Sequence, residues 1–198
     1  SKIELKDIEN FISQTVCLEN LIIVAGGDFE LKEFEKLVKP LLETLNVGKK
    51  AQLEEVNFIS KKEEKVLIKD TQQAYIYFGS SFNINSKDEE NYKAKVASFI
   101  LGGSGFGSRL MEEIRVKRGL AYSAYGSISI NKSHSYFNGY LQTKNETADE
   151  AKKLVGEIIE DFVKNGVTND ELSAAKNFLT GSEPLRSETL SQRLNRAF

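Results

Sequence analysis

The chain has 198 residues, 40% of them hydrophobic, with a net charge of −2 and an isoelectric point near 5.7. That apolar content is enough to close a core, and the balance lacks the basic surplus of a nucleic-acid-binding domain. The longest apolar run, Leu21–Ala25, is far too short to span a membrane, and nothing in the composition fixes a compartment.

In chain order, Leu5, Ile8, Phe11 and Ile12 recur at helical spacing and predict a first helix. Cys17 is alone, which excludes an internal disulfide; it reads as a buried structural thiol ahead of a reactive one. Leu21–Ala25 predicts a buried strand stopped by Gly26 and Gly27. Asp28 is the expected cap of the next helix, with Leu31, Phe34, Leu37, Val38 and Leu41 on its inner face. A polar connector over 48–63 leads to predicted strands at 64–70 and 73–79. Asp88 is expected to open a helix through Tyr92, Val96, Phe99 and Ile100, which the glycine-rich run 102–107 breaks. The helix after it runs to Arg118, with Phe106, Leu110 and Ile114 on one face.

Residues 120–130 and 135–143 read as a strand pair joined by a turn at His134. A helix through Leu154, Ile158, Ile159 and Phe162 follows, ended by Gly166. Thr168-Asn-Asp-Glu171 has the form of a capping box and opens a helix to about Gly181. Pro184 interrupts before a last helix over 186–198. The chain opens and stops within helical patterns, so it reads as a piece of a longer protein. Clustered strands and helices favour an α+β fold. The expected form is a two-layer sandwich of a mainly antiparallel sheet with helices on one face, with 1–198 as a single domain.

A catalytic zinc site takes most of its ligands from His and Cys. One histidine and one cysteine, far apart in sequence, argue against a self-contained zinc site, so no metal ligand and no catalytic residue is expected in this chain. His134 reads as a solvent-exposed turn residue in preference to a catalytic base.

Strand alternation sorts the side chains into two faces. Ala74, Ile76, Phe78, Phe137, Gly139 and Leu141 fall on one. Tyr75, Tyr77, Tyr125, Tyr136 and Tyr140 fall on the other with Ser, Asn and Gln, and suggest either a polypeptide-binding wall or an ordinary polar outer face. The glycine run fails as a phosphate loop. Ser108 stands where a dinucleotide fingerprint has its third glycine, and no Gly-Lys-Ser/Thr follows. It reads instead as a tight turn between helices. Arg115 lies at the edge of the following apolar stripe. Lys117 and Arg118 suit a helix end, with Gly119 as its cap.

The stretch Leu101-Gly-Gly-Ser-Gly-Phe-Gly-Ser-Arg-Leu, followed by Glu113-Ile-Arg-Val-Lys-Arg-Gly-Leu-Ala-Tyr-Ser, resembles the C-terminal domain of M16 (pitrilysin or insulinase-type) zinc metallopeptidases. Glu19-Asn-Leu-Ile-Ile-Val-Ala-Gly-Gly-Asp28 and Thr168-Asn-Asp-Glu-Leu-Ser-Ala-Ala-Lys176 extend the likeness over nearly the whole chain. The resemblance implies a partner: a homologous N-terminal domain, or a subunit bearing His-x-x-Glu-His, that carries the zinc, a motif this sequence lacks. It further implies that Arg115 and Tyr122 hold a peptide substrate, Arg115 as a fork and Tyr122 as an oxyanion donor. The expected function is a non-catalytic substrate-binding domain of an M16-type peptidase, inactive alone; the alternative is an M16-fold scaffold without peptidase activity. Strict alternation places Tyr122 in phase with Ala124 and Ile128, on the aliphatic face. A bulge near Gly126, or an irregular first strand turn, is needed to bring it out.

Overall fold

The computed structural model describes residues 2–54, 56 and 61–198. The chain forms two compact units, 1–53 with 181–198, and 54–180.

In the first unit, three amphipathic helices share one way of starting. Helices α1 (Leu5–Thr15), α2 (Leu31–Thr44) and α6 (Leu190–Ala197) each open with a capping box, formed by Glu4 with Asp7, Glu30 with Glu33 and Thr189 with Gln192. The reciprocal bonds satisfy backbone donors that the first helical turn leaves free. Glu30 therefore takes the role expected of Asp28. The half-buried residues of α2 are Phe34, Val38 and Leu42, while Leu31, Leu37 and Leu41 are exposed, so its inner face is turned from the expected one. Leu21–Ala25 is not a strand. Leu21, Ile22 and Ile23 are exposed, and β-propensity becomes a strand only where a ladder partner is supplied. Pro184–Ser187 is a separate turn, so the last helix starts later than expected. Cys17 is buried, accepts a hydrogen bond from Asn20 Nδ2 at 3.2 Å, and packs against Gly48, where a Cβ would fall 2.3 Å from its sulfur. That is the expected structural thiol.

The second unit is an α+β two-layer arrangement. Strands β1 (Gln73–Phe82), β2 (Ala121–Ile130) and β3 (Ser135–Lys144) form an antiparallel sheet in the order β1-β3-β2. The predicted strand over 64–70 is absent: these residues join no ladder, and Val66, Leu67 and Ile68 are exposed. Its neighbour β1 runs three residues beyond the expected end. Part of the connector, 55 and 57–60, lies outside the described residues.

Helices α3 (Asn91–Ser98), α4 (Ala148–Asn165) and α5 (Asn169–Gly181) complete the unit. Asp88 does not open α3 directly; its carboxylate accepts from the Glu90 backbone N–H and forms the turn before it. The core joins Leu110 and Ile114 to Ala121, Ala124, Phe137 and Leu141 of the sheet and to Ala151, Leu154, Val155 and Ile158 of α4. Leu110, Ile114 and Leu141 are fully buried, each contributing about 1.5–3 kcal/mol of transfer free energy. The aliphatic sheet face expected from alternation is the one that meets this core. Gly102 explains part of the glycine run: a Cβ there would lie 2.5 Å from the Gly126 nitrogen, so the chain packs backbone on backbone against β2.

Candidate functional site

The site is assembled between the glycine-rich turn and the start of β2. After Gly102 the chain widens, with the Ser104 N–H donating to the Phe99 carbonyl at 3.1 Å in an i→i+5 bond. Gly105 then takes φ +67°, a conformation that costs other residues steric strain. The one-turn helix Gly105–Gly107 turns Phe106 outward, where it is 67% exposed. This corrects the expectation that Phe106 shares a buried face with Leu110 and Ile114. The helix containing those two begins only after Ser108, whose extended backbone and buried hydroxyl mark the true start. Ser108 Oγ donates to the Gly105 carbonyl at 2.8 Å and lies 3.4 Å from the Met111 nitrogen. Ser108 thus acts as a helix cap in the place a dinucleotide loop would need glycine.

The helix widens again at Met111–Val116, where Lys117 N–H donates to the Glu112 carbonyl at 2.9 Å. Such π-type turns shift side chains around the axis relative to a regular helix. Gly119, at φ +62°, closes it by donating to the Arg115 carbonyl, as expected of a C-terminal cap.

The four cations of this segment have different fates. Arg109 donates from Nε and Nη2 to Glu171 at 2.5 and 2.7 Å, from Nη1 to Asp161 at 3.2 Å, and from Nη2 to the Gly166 carbonyl at 2.7 Å. Glu171 also closes the capping box with Thr168 foreseen from the sequence. The Arg109 hydrogen bond, aided by the Thr168 N–H, pulls the Glu171 carboxyl down to about 2. Lys117 and Arg118 both pair with Glu113 at 2.6 Å and lower its pKa, Lys117 being the larger influence. Arg115 differs. Its Cζ lies over the Phe106 ring at 4.6 Å and over the Tyr122 ring at 4.7 Å, and its guanidinium has no acceptor among the described residues.

Tyr122 is 80% exposed, outside the core. The reason is a register shift: Ala121 pairs with Thr143 and Ser123 with Gln142, which leaves Tyr122 as the extra residue of a bulge. Ala121 and Ala124 therefore both point inward, and Tyr122 is released. The irregularity sits at the strand's first turn and not at Gly126.

Beyond the bulge the sheet carries the expected tyrosines. Tyr77, Tyr140 and Tyr125 occupy paired positions on β1, β3 and β2, with ring centroids 6.2 and 6.4 Å apart. They make a continuous exposed row across all three strands, with Tyr75 and Tyr136 exposed on the same face. His134 is exposed in the β2–β3 turn and stacks on Tyr136 at 5.7 Å, a placement with no buried base chemistry. The sequence does not identify Arg109 and Phe106 as features of the site; of the two irregularities it offers for bringing Tyr122 out, the one at the first strand turn is observed. The Gly-Phe-Gly spelling was the available signal for an outward Phe106; nothing local marks the bulge.

Among the described residues no group of three or more His, Cys, Asp or Glu side chains is placed to hold a metal ion. The described residues do not fit the zinc of M16 peptidases. No helix among the described residues is long and apolar enough to cross a membrane.

The α+β sheet with its helices on one face is the fold of an M16-type domain. The family model described as "Peptidase M16 inactive domain" matches residues 2–179, and the chain belongs to that family. A Helicobacter pylori protein named "Non-peptidase homolog YmxG" is 44% identical over 197 residues, which cover 100% of this chain and 45% of that protein. An uncharacterized zinc protease of Streptomyces coelicolor is 32% identical over 126 residues, covering 64% of this chain and 27% of that protein. The crystal structure of a peptidase M16 inactive domain from Pseudomonas fluorescens superposes with a TM-score of 0.75 at 28% identity, over 91% of this chain and 44% of that one. The chain thus spans less than half the length of these relatives.

Proposed function

We propose that the chain acts by binding polypeptide without cutting it, as a non-catalytic M16 scaffold or interaction domain. The observation that carries this reading is the exposed tyrosine row Tyr77–Tyr140–Tyr125, with Tyr122 three residues upstream of Tyr125 and, over it, the Arg115 guanidinium, which has no acceptor among the described residues. Tyrosine rings offer large contact area at small conformational cost, and their hydroxyls accept or donate to a peptide backbone. The relative named a non-peptidase homolog, similar over the whole chain, supports the absence of hydrolysis.

A second reading is favoured by the Arg115–Tyr122 contact itself. Joined to an M16 N-terminal domain or subunit that supplies zinc, the same pair would hold an extended peptide substrate, Arg115 on a carbonyl and Tyr122 towards the developing oxyanion. Relatives named zinc proteases support it.

The two readings separate in one experiment on the full-length protein. Reduced, carboxymethylated α-lactalbumin serves as an extended polypeptide, with binding read by calorimetry and integrity by mass spectrometry. Saturable binding of intact polypeptide, unaffected by a chelator, is the expected result. Chelator-sensitive cleavage would establish the second reading, and absence of both binding and cleavage would remove both.

A further inference from the structure

We infer that Phe106 is a positioning residue for Arg115, holding its guanidinium so that its donors face an incoming polypeptide. This rests on the binding role proposed for Arg115. A phenylalanine that is 67% exposed at the tip of a glycine-flanked turn gains little from burial, and its ring is instead committed to the Arg115 cation at 4.6 Å. The turn is built to put it there: Gly105 takes the left-handed conformation, and Ser108 anchors the turn's far end to the Gly105 carbonyl.

The contact has a consequence for the arginine. Phe106 and Tyr122 each present a ring face to the guanidinium carbon. No oxygen among the described residues takes its N–H groups, which leaves them available for a carbonyl or carboxylate. A free arginine would lose much rotamer freedom on engaging such an acceptor; one already held by two rings has lost part of it beforehand. Neighbouring Arg109 also lies over a ring, that of Phe162 at 5.0 Å, but its donors are consumed by Glu171, Asp161 and Gly166. Ring contact without an acceptor among the described residues sets Arg115 apart among the four cations of the segment. The sites come from different elements, since Phe106 precedes the helix, Arg115 lies within it and Tyr122 is the bulge residue of β2.

The test uses the full-length protein with Phe106→Leu and Phe106→Trp. Leu keeps the apolar bulk and removes the ring, and Trp restores a cation-binding face. The first readout needs no ligand: the Arg115 side-chain Nε–H signal, assigned by its loss in Arg115→Lys, with its ring-current shift and order parameter. Phe106→Leu is expected to move that signal towards the position of a free arginine and lower its order, Phe106→Trp to restore both, and core signals such as Ile114 to stay in place. The second readout is affinity for carboxymethylated α-lactalbumin, expected to fall about two- to tenfold in Phe106→Leu and to recover in Phe106→Trp. An Arg115 signal unchanged by Phe106→Leu overturns the inference. So does affinity that falls in Arg115→Ala but not in Phe106→Leu. If the wild-type protein binds no polypeptide, the proposed function fails, and the role given to Phe106 in presenting Arg115 to polypeptide fails with it; the Nε–H signal then reports only whether the ring orders the arginine.

Discussion

Arg109 and Arg115 stand six residues apart on one helical segment, each with its guanidinium over an aromatic ring, and they have opposite uses. Arg109 is a tie. It is largely buried, with Glu171 of α5, Asp161 of α4 and the Gly166 carbonyl between them consuming its donors. Arg115 is a display, with two rings and no acceptor among the described residues. Residue type and ring contact are shared; what separates a structural arginine from an available one is whether opposing oxygens are supplied.

The largest expected effect lies on the structural side. Glu171→Ala removes the Arg109 partner and the reciprocal half of the α5 cap together, and thermal or urea unfolding should report a loss of about 3 kcal/mol. A pH series sharpens the same point. Folding lowers the Glu171 pKa from 4.5 to about 2, so its contribution is fully present above pH 4.5 and is lost as pH falls towards 2. Wild type and Glu171→Gln should therefore differ in stability at neutral pH and converge near pH 2. A constant gap across that range would mean that the ion pair is not the source. On the other side, Arg115→Ala should lower stability by less than about 1 kcal/mol, the scale of exposed cation–ring contacts. Tyr122→Phe should leave it within about 0.5 kcal/mol, since the ring is retained and the hydroxyl is solvated. A stability loss at Arg115 equal to that at Glu171 would erase the distinction.

These contrasts show which parts of the molecule are legible in sequence. The two-faced sheet, the Thr168–Glu171 box, the Gly119 and Gly166 helix ends and the His134 turn rest on local periodicity or on one residue's backbone preference, and all appear where expected. Leu21–Ala25 and 64–70 look like strands by composition, but a strand requires a partner that composition does not name. Tyr122 shows the same limit at one residue. Alternation placed it with Ala124, and only the pairing of Ala121 with Thr143 and Ser123 with Gln142 reveals the extra residue that brings it to the surface. Phe106 sat at an apparent i, i+4, i+8 spacing with Leu110 and Ile114, which the helix start at Ser108 interrupts. Arg109 and Glu171 meet across 62 residues, a distance no local pattern spans.

The most direct measurement is a calorimetric titration of carboxymethylated α-lactalbumin into full-length protein, comparing wild type, Arg115→Ala and Arg118→Ala. Arg118 is a cation three residues away that Glu113 already neutralises. Binding without cleavage is expected, weakened in Arg115→Ala and retained in Arg118→Ala. Equal weakening by both variants would reduce Arg115 to one more surface charge, and unaltered binding in Arg115→Ala would contradict its assignment to the binding surface.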